Sequence, residues 1–303
     1  MTAKAGGFSW GALAPLGAVA IWSGNTIVTK SAATVIDPAS ITLYRWLIAF
    51  ALLAPFVAVS TWRARAVVRA HFWQIGILGT LGMATYQGLA YVAARTASAV
   101  DMGVIQALMP LFAALMASVL AGEGLTLWAL LGSAISLVGV VVLATHGDPA
   151  ALSVGASGVG DVLMLLAVVA NSLYGVLLRR WAIPLSTWQQ MLVQMMFAIV
   201  ISVPFWLAGP MGPINAANAA IVLYAGIPAS LGAPFCWIVG VKVLGASRAS
   251  SFVNLLPVGV ALLAWGLLGE TLHWYHAIGG GLTLAGVALA LRPRRAIRGA
   301  LVR

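Results

Sequence analysis

Charge is scarce in this chain. Asp, Glu, Lys and Arg make up 7% of its 303 residues, against about 25% in an ordinary soluble domain. With 62% of positions apolar, a water-solvated globule would lack the polar surface it needs, which argues against a soluble enzyme. Cysteine is reduced to Cys236, so an internal disulfide and a four-thiolate metal site are both ruled out. Acids are fewer than bases, six against 16. The resulting charge of +10 would suit nucleic acid only as a basic face on a folded domain. Here the bases cluster at the ends of apolar runs, where they read as topology signals. The expected partners are a lipid bilayer and a small molecule, with no nucleic acid, metal or cofactor.

What the chain has is apolar length. A bilayer-spanning helix needs about 20 apolar residues. Breaking the hydrophobic stretches at Gly, Pro and Arg clusters gives ten runs: 11–31, 39–59, 72–94, 98–120, 125–145, 159–179, 186–207, 217–241, 247–268 and 272–291. The runs are continuous rather than alternating, which favours helices over barrel strands. The stretch from Met1 to Trp10 is too polar, and too poor in cleavage pattern, for a signal peptide. The expected fold is therefore an all-α membrane protein of ten transmembrane helices.

The bases orient it. With Lys4 in the cytoplasm, the inner loops carry Arg63, Arg65 and Arg69, then Arg179 and Arg180, then Lys242 and Arg248, and the tail 292–303 holds five more arginines. Only Lys30, Arg45 and Arg95 fall elsewhere. Both termini are expected in the cytoplasm of a bacterial cell, with the chain multi-pass in the inner membrane.

Sliding the chain against itself exposes a repeat. A shift of 147 carries Leu108 to Leu255, Pro110 to Pro257, Gly122-Glu123 to Gly269-Glu270, Gly132 to Gly279 and Gly139-Val140 to Gly286-Val287. A shift of 149 carries Pro55-Phe56 to Pro204-Phe205 and Lys30 to Arg179. The expected units are 11–145 and 159–291, joined by an extracytoplasmic linker at 146–158 and followed by the basic tail. Five spans is an odd number, so the second unit must start on the opposite face. Inverted repeats of this kind give a fold two nearly equivalent conformations around a central cavity at mid-membrane, which argues transport.

A first run ending in Trp22-Ser-Gly-Asn25 ahead of Lys30, and a Pro to Gly-Glu turn in both halves (Pro110 to Glu123, Pro257 to Glu270), resemble the EamA-type drug/metabolite transporter superfamily over almost the whole chain. Within it the sequence is most similar to bacterial exporters of the YddG type. That resemblance implies outward transport of aromatic and other neutral amino acids.

Polar and aromatic groups inside apolar helices are costly to expose to lipid and should face a cavity or another helix. Trp22 and Asn25 share one face of the first run, and Asn171 and Tyr174 take the matching places in the sixth. Tyr86, Gln87 and Tyr91 in the third, Gln106 in the fourth, Trp237 in the eighth and Asn254 in the ninth complete the candidate binding set. Arg45, about six residues inside the second run, is the candidate counter-ion for a substrate carboxylate; Lys30 and Arg95 lie nearer the outer headgroups. The competing reading is interhelical glue, because Asn and Gln often bond across membrane bundles for about 0.6 to 2 kcal/mol each.

Pro55, Pro110, Pro204 and Pro257 sit at paired positions inside runs, where each removes a backbone hydrogen bond; they are candidate hinges. Pro228 and Pro234 match Leu81 and Gln87, so unequal halves are expected there. Glu123 and Glu270 are expected to cap the helices that follow them. All six acids fall at run ends or in loops, which points to facilitated diffusion down the cargo's own gradient. No phosphate-binding Gly-x-x-x-x-Gly-Lys motif is present to support ATP-driven transport. His71, His146, His273 and His276 lie at run ends without an evident nucleophile or third ligand, so no catalysis is expected. The alternative to amino-acid export is a broad metabolite or drug exporter for cationic aromatic compounds. Two complete halves in one chain allow a monomer to form the pathway.

Overall fold

The computed structural model describes residues 10–121, 127–148, 158–245, 249 and 252–290. Among them every regular element is helical. The first half runs α1 (Ala14–Ala32), α2 (Pro38–Arg63), α3 (Arg65–Ala70), α4 (Phe72–Gly79), α5 (Tyr86–Ala93), α6 (Ala99–Gln106), α7 (Met109–Ala121) and α8 (Leu127–Ala144). The second comprises α9 (Val159–Trp181), α10 (Thr187–Ala208), α11 (Ala219–Tyr224), α12 (Ala233–Leu244), α13 (Leu256–Leu263) and α14 (Trp274–Ala290).

Among the described residues six helices are long and apolar enough to cross a bilayer: Gly11–Ala32, Pro38–Arg63, Ala99–Leu120, Val159–Trp181, Thr187–Ala208 and Ala219–Leu244. Two shorter apolar helices, Leu130–Leu143 and Leu256–Leu268, accompany them. The outer surface carries many large apolar side chains: Phe56 is 86% exposed, Trp73 78% and Leu267 70%. Side chains of that size on display fit lipid and not water. Trp62, Trp128 and Trp274, at helix ends, are also exposed, as interfacial aromatics should be.

Helix starts follow local chemistry. Asp37 caps α2 by accepting from the Ala39 and Ser40 amides at 2.9 and 3.4 Å, with Pro38 in the first turn where its missing N–H costs nothing. Ser186 and Gln189 form a reciprocal capping box on α10. Glu270 corrects the expectation that it caps its own next helix. Its two carboxylate oxygens accept from the Ala99 and Val100 amides at 2.9 and 3.2 Å, so it caps α6, an element of the other half. An acid placed on orphan amides across the bundle ties the two units together. Glu123 lies outside the described residues. Glu270→Ala strips both amides of their partner and should cost about 1 to 2 kcal/mol, read as a lowered melting temperature in detergent with Glu270→Gln intermediate.

The third and eighth hydrophobic runs each change helical pitch at mid-length. A π-helical segment, Thr80–Thr85, joins α4 to α5, and another, Ala225–Gly232, joins α11 to α12. The shift of 147 lays the first on 227–232, so the two halves carry the same distortion although only one contains prolines. The segment that contains Pro228 is the longer, eight residues against six, and a further π-helical stretch, Ala264–Leu268, falls where the first half is α-helical, so the halves are unequal in pitch. Pro55 and Pro204 lie inside α2 and α10 as anticipated. Pro110 and Pro257 differ: they occupy the first turns of α7 and α13. The run before Pro110 breaks at Ala107-Leu108, and a 3-10 turn, Phe252–Leu255, precedes Pro257. Each run has split so that its proline sits where no N–H is required, which replaces a kink by a joint between two helices.

A close crossing joins α8 to α14. A Cβ at Gly132 would collide with the Gly286 carbonyl, and one at Gly139 with that of Gly279; Gly286 and Gly279 meet Gly132 and Gly139 in return. These are the positions that the 147 shift exchanges. Gly132 opposite Gly286 and Gly139 opposite Gly279 means that the two helices run antiparallel. Ser136 Oγ donates to the Thr283 carbonyl at 2.9 Å across the same seam.

Candidate functional site

A cavity of about 440 Å³ lies in the middle of the bundle, within the size range of small-molecule sites. Nine residues of the sequence-derived set line it: Trp22 and Asn25 from α1, Arg45 from α2, Tyr86 and Gln87 from α5, Gln106 from α6, Asn171 and Tyr174 from α9, and Trp237 from α12. Tyr91 stands behind that wall, 1% exposed, with its hydroxyl on Arg45. The side chain of Asn254 lies outside the described residues. The lining is paired by the internal repeat. Under the shift of 149, Trp22 and Asn25 fall on Asn171 and Tyr174; under 147, Gly82, Met83, Gln87, Gln106 and Met109 fall on Ala229, Ser230, Pro234, Val253 and Leu256. All of these face the same space, so the cavity straddles the relation between the halves.

Arg45 dominates its electrostatics. The side chain is 2% exposed. Nε and Nη2 donate to Ser230 Oγ at 3.2 and 2.9 Å, and Nη1 donates to Gln87 Oε1 at 2.6 Å and to Tyr91 Oη at 3.0 Å. The guanidinium also lies 5.0 Å from the Trp46 ring centre and 5.9 Å from that of Tyr91, close enough for cation–π attraction. Ser230 passes the bond on by donating to the Ala225 carbonyl at 2.7 Å, inside the π-helical segment. Four of five guanidinium donors are thus engaged and one is left over. Arg95 pairs with Asp37, and His276 lies beside Asp101; among the described residues no carboxylate pairs with Arg45. A buried cation held only by neutral oxygens and rings is a place where an anion gains strongly.

The other polar groups divide by occupancy. Gln106 donates to Thr26 Oγ1 at 3.1 Å, Asn171 Nδ2 meets Met109 Sδ at 3.3 Å, and Tyr174 donates to Gln194 Oε1 at 3.4 Å. Asn25 Oδ1 is buried without a hydrogen-bond partner among the described residues. It is an acceptor in want of a donor. The Trp22 and Trp237 rings meet at 5.6 Å with a 48° tilt and supply an aromatic wall.

Lys30 and Arg95 do not join the site. Lys30 Nζ donates to the Ala94 and Ala97 carbonyls at 3.0 and 2.7 Å, capping the end of α5. Arg95 pairs with Asp37 at 3.3 Å on the surface. Sequence reasoning overlooked Ser230, Trp46 and Gln194. A serine in an apolar helix is too common to stand out, although its register opposite Met83 could have drawn attention. It also overlooked two buried acids. Asp101 and Asp161 sit in the first turns of α6 and α9, at run ends as expected, yet are only 1% and 4% exposed. Asp101 Oδ2 accepts from Ser98 Oγ at 2.6 Å, and Oδ1 lies 3.6 Å from His276 Nε2. Burial came from packing against the other half, which run position does not encode.

The cavity is closed at one end and open at the other. Beyond Arg45, the turn between α1 and α2 is plugged by Ala32, Ile36, Ile41, Tyr91 and Val222. In the opposite direction the lining reaches Leu178 and Thr187, and a side cavity of about 180 Å³ that shares Tyr174, Leu178, Thr187 and Met191 continues to Ala182 in the exposed turn after Arg179 and Arg180.

The EamA-like transporter family matches residues 9–145 and again 158–292. The chain is 25% identical to an uncharacterized transporter of Bacillus subtilis, YyaM, over 89% of its own length and 90% of that protein's. It is 28% identical to an uncharacterized transporter of Archaeoglobus fulgidus, covering 89% and 93%. A Streptantibioticus cattleyicolor protein named "probable terminal-alkyne amino-acid exporter" is 28% identical over 72% of each chain. A solved crystal structure superposes with a TM-score of 0.57 over 93% of this chain and 96% of its own, at 24% identity, which speaks for the fold. The chain belongs to the EamA-like transporter family and is a multi-pass membrane protein.

Proposed function

We propose that this member of the EamA-like transporter family exports neutral amino acids, aromatic ones among them, across the bacterial inner membrane by alternating access. The observation that carries the reading is the pairing, in one cavity, of a buried guanidinium and a buried amide oxygen that, among the described residues, lack a carboxylate and a donor respectively. An α-amino acid brings both complements: its carboxylate suits the free N–H of Arg45 and its ammonium suits Asn25 Oδ1, while the Trp22 and Trp237 rings take an aromatic side chain. The exporter name borne by the Streptantibioticus relative agrees with this cargo class. A cationic aromatic drug fits less well, because no acidic side chain is among the described residues lining the cavity and Arg45 would repel it.

In this reading ten spans form two inverted five-helix units, 11–145 and 159–291, within a monomer. The antiparallel crossing of α8 and α14 through exchanged glycines supports the inversion. The arginine-rich ends support cytoplasmic termini, so the open end of the cavity, beside Arg179 and Arg180, faces the cytoplasm. Facilitated diffusion remains the first energetic reading. The buried Asp101 with His276 beside it, and the buried Asp161, favour proton-linked transport as the second, since ionisable groups within spans often carry protons.

Counterflow in proteoliposomes tests both. Labelled phenylalanine should exchange against unlabelled at zero pH gradient and keep its rate when a protonophore is added. Uptake that vanishes as an imposed pH gradient collapses would replace diffusion by proton coupling, and loss of that dependence in Asp101→Asn or Asp161→Asn would identify the acid. Absence of exchange for every amino acid tried, with the protein folded, would overturn the amino-acid reading.

A further inference from the structure

We propose that the Arg45 network is a latch that holds the outer end of the pathway shut and that a cargo carboxylate releases it. The proposal rests on the amino-acid reading above and adds how binding is converted into opening.

The network joins three separate stretches of chain. Arg45 is on α2, Gln87 and Tyr91 on α5, and Ser230 on the π-helical segment before α12. It forms the last polar layer of the cavity before the plug of Ala32, Ile41, Tyr91 and Val222. Tyr91 belongs to both, with its ring in the plug and its hydroxyl on Arg45. Parting the helices at this end means giving up the charge-assisted hydrogen bonds of a side chain only 2% exposed, which is unfavourable unless something replaces them. A carboxylate arriving from the cavity can bind the same guanidinium in the bidentate geometry that arginine prefers. It competes directly with Ser230 and Gln87, so what it gains at Arg45 the latch loses.

The repeat shows that this device is one-sided. The positions that correspond to Arg45, Gln87, Tyr91 and Ser230 in the other half are Gln194, Pro234, Ile238 and Met83. These bring no charge, and two of them are hydrocarbon with no hydrogen-bonding side chain. Closing the cytoplasmic end after an exchange of conformations would therefore make no equivalent network. The empty carrier should rest open to the cytoplasm and cross outward chiefly when loaded. A ligand shifts such an equilibrium only through differential affinity for the two states. The carboxylate supplies that difference, and a carboxamide analogue of the same amino acid supplies far less. L-Phenylalaninamide should thus occupy the aromatic wall without springing the latch.

Cysteine labelling reads this directly. Ala32, 1% exposed in the plug, is replaced in Ala32→Cys on a Cys236→Ser background, with Val222→Cys as a second reporter should the first fold poorly. Reconstituted protein is treated with a membrane-impermeant maleimide from the outer side. Labelling should be slow without cargo, at least about tenfold faster with saturating phenylalanine, and unchanged by phenylalaninamide. Ser230→Ala and Tyr91→Phe, each removing one acceptor of Arg45, should raise cargo-free labelling about fivefold or more. A Thr187→Cys reporter labelled from the cytoplasmic side should slow as the outer one speeds up, which distinguishes opening from general loosening. Labelling indifferent to phenylalanine, equal acceleration by the amide, or no response to either latch variant would overturn the proposal. If counterflow runs and labelling does not respond, the latch fails alone; if no amino acid is exchanged, the reading beneath it fails.

Discussion

Arg45→Ala is expected to reduce phenylalanine counterflow by at least about 30-fold, with the protein still folded. Losing one partner of a desolvated, hydrogen-bonded charge pair costs about 2 to 5 kcal/mol, and every 1.4 kcal/mol is a factor of ten. Two contributions act together. The cargo loses its carboxylate anchor, and Gln87 Oε1, Tyr91 Oη and Ser230 Oγ lose the donors that now satisfy them. The second contribution falls on stability and the first on binding, so they separate in a thermal-shift assay. Phenylalanine should raise the melting temperature of the wild type and leave that of Arg45→Ala where it is. Arg45→Lys should recover charge without the planar fork and restore only part of the rate. Wild-type exchange in Arg45→Ala would mean that the buried guanidinium serves packing alone.

Gly139→Leu is expected to be the most damaging single change to folding. A side chain there meets the Gly279 carbonyl and the amide and hydroxyl of Thr283. These are backbone and short-side-chain atoms that cannot swing aside, so α8 and α14 must part along their seam. Overpacking a tight contact costs about 1 to 3 kcal/mol, and here it also endangers the Ser136 to Thr283 bond. Small residues are what allow membrane helices to approach this closely, where van der Waals packing rather than the hydrophobic effect holds them. The expected result is a marked loss of monodisperse protein in detergent and a lowered melting temperature. Gly281→Leu is the matched control: it lies on α14, the other helix of the crossing, and an added Cβ there meets nothing within 4 Å. Equal effects at both positions would contradict the crossing.

How much of this the sequence disclosed depends on which physical signal each feature leaves. Helical runs are written in hydropathy, and the six long apolar helices fall on them. The repeat was legible because Gly132, Gly139, Gly279 and Gly286 must all be glycine to make one crossing. The cavity lining was legible because amides and rings such as Asn25, Gln106 and Trp237 are conspicuous in hydrocarbon. Three things left no trace. Pitch changes at Thr80–Thr85 and Ala225–Gly232 have no composition of their own. The buried state of Asp101 and Asp161 depends on what packs over a helix end. The reach of Glu270 across to α6, and of Lys30 to the end of α5, arises only when distant segments meet, and a residue read in its own run is naturally assigned to its neighbour in sequence. Ser230 shows the same limit, since its importance comes wholly from the guanidinium it faces.

The central claim is that one cavity between the two halves holds an amino acid by its carboxylate on Arg45. An experimental structure of the protein with bound phenylalanine tests it most directly. The account predicts the carboxylate within hydrogen-bond distance of the Arg45 guanidinium, the ammonium on Asn25 Oδ1 and the ring against Trp22 and Trp237. A ligand bound elsewhere, or one lying in the cavity with its carboxylate turned toward Thr187 and away from Arg45, would contradict it.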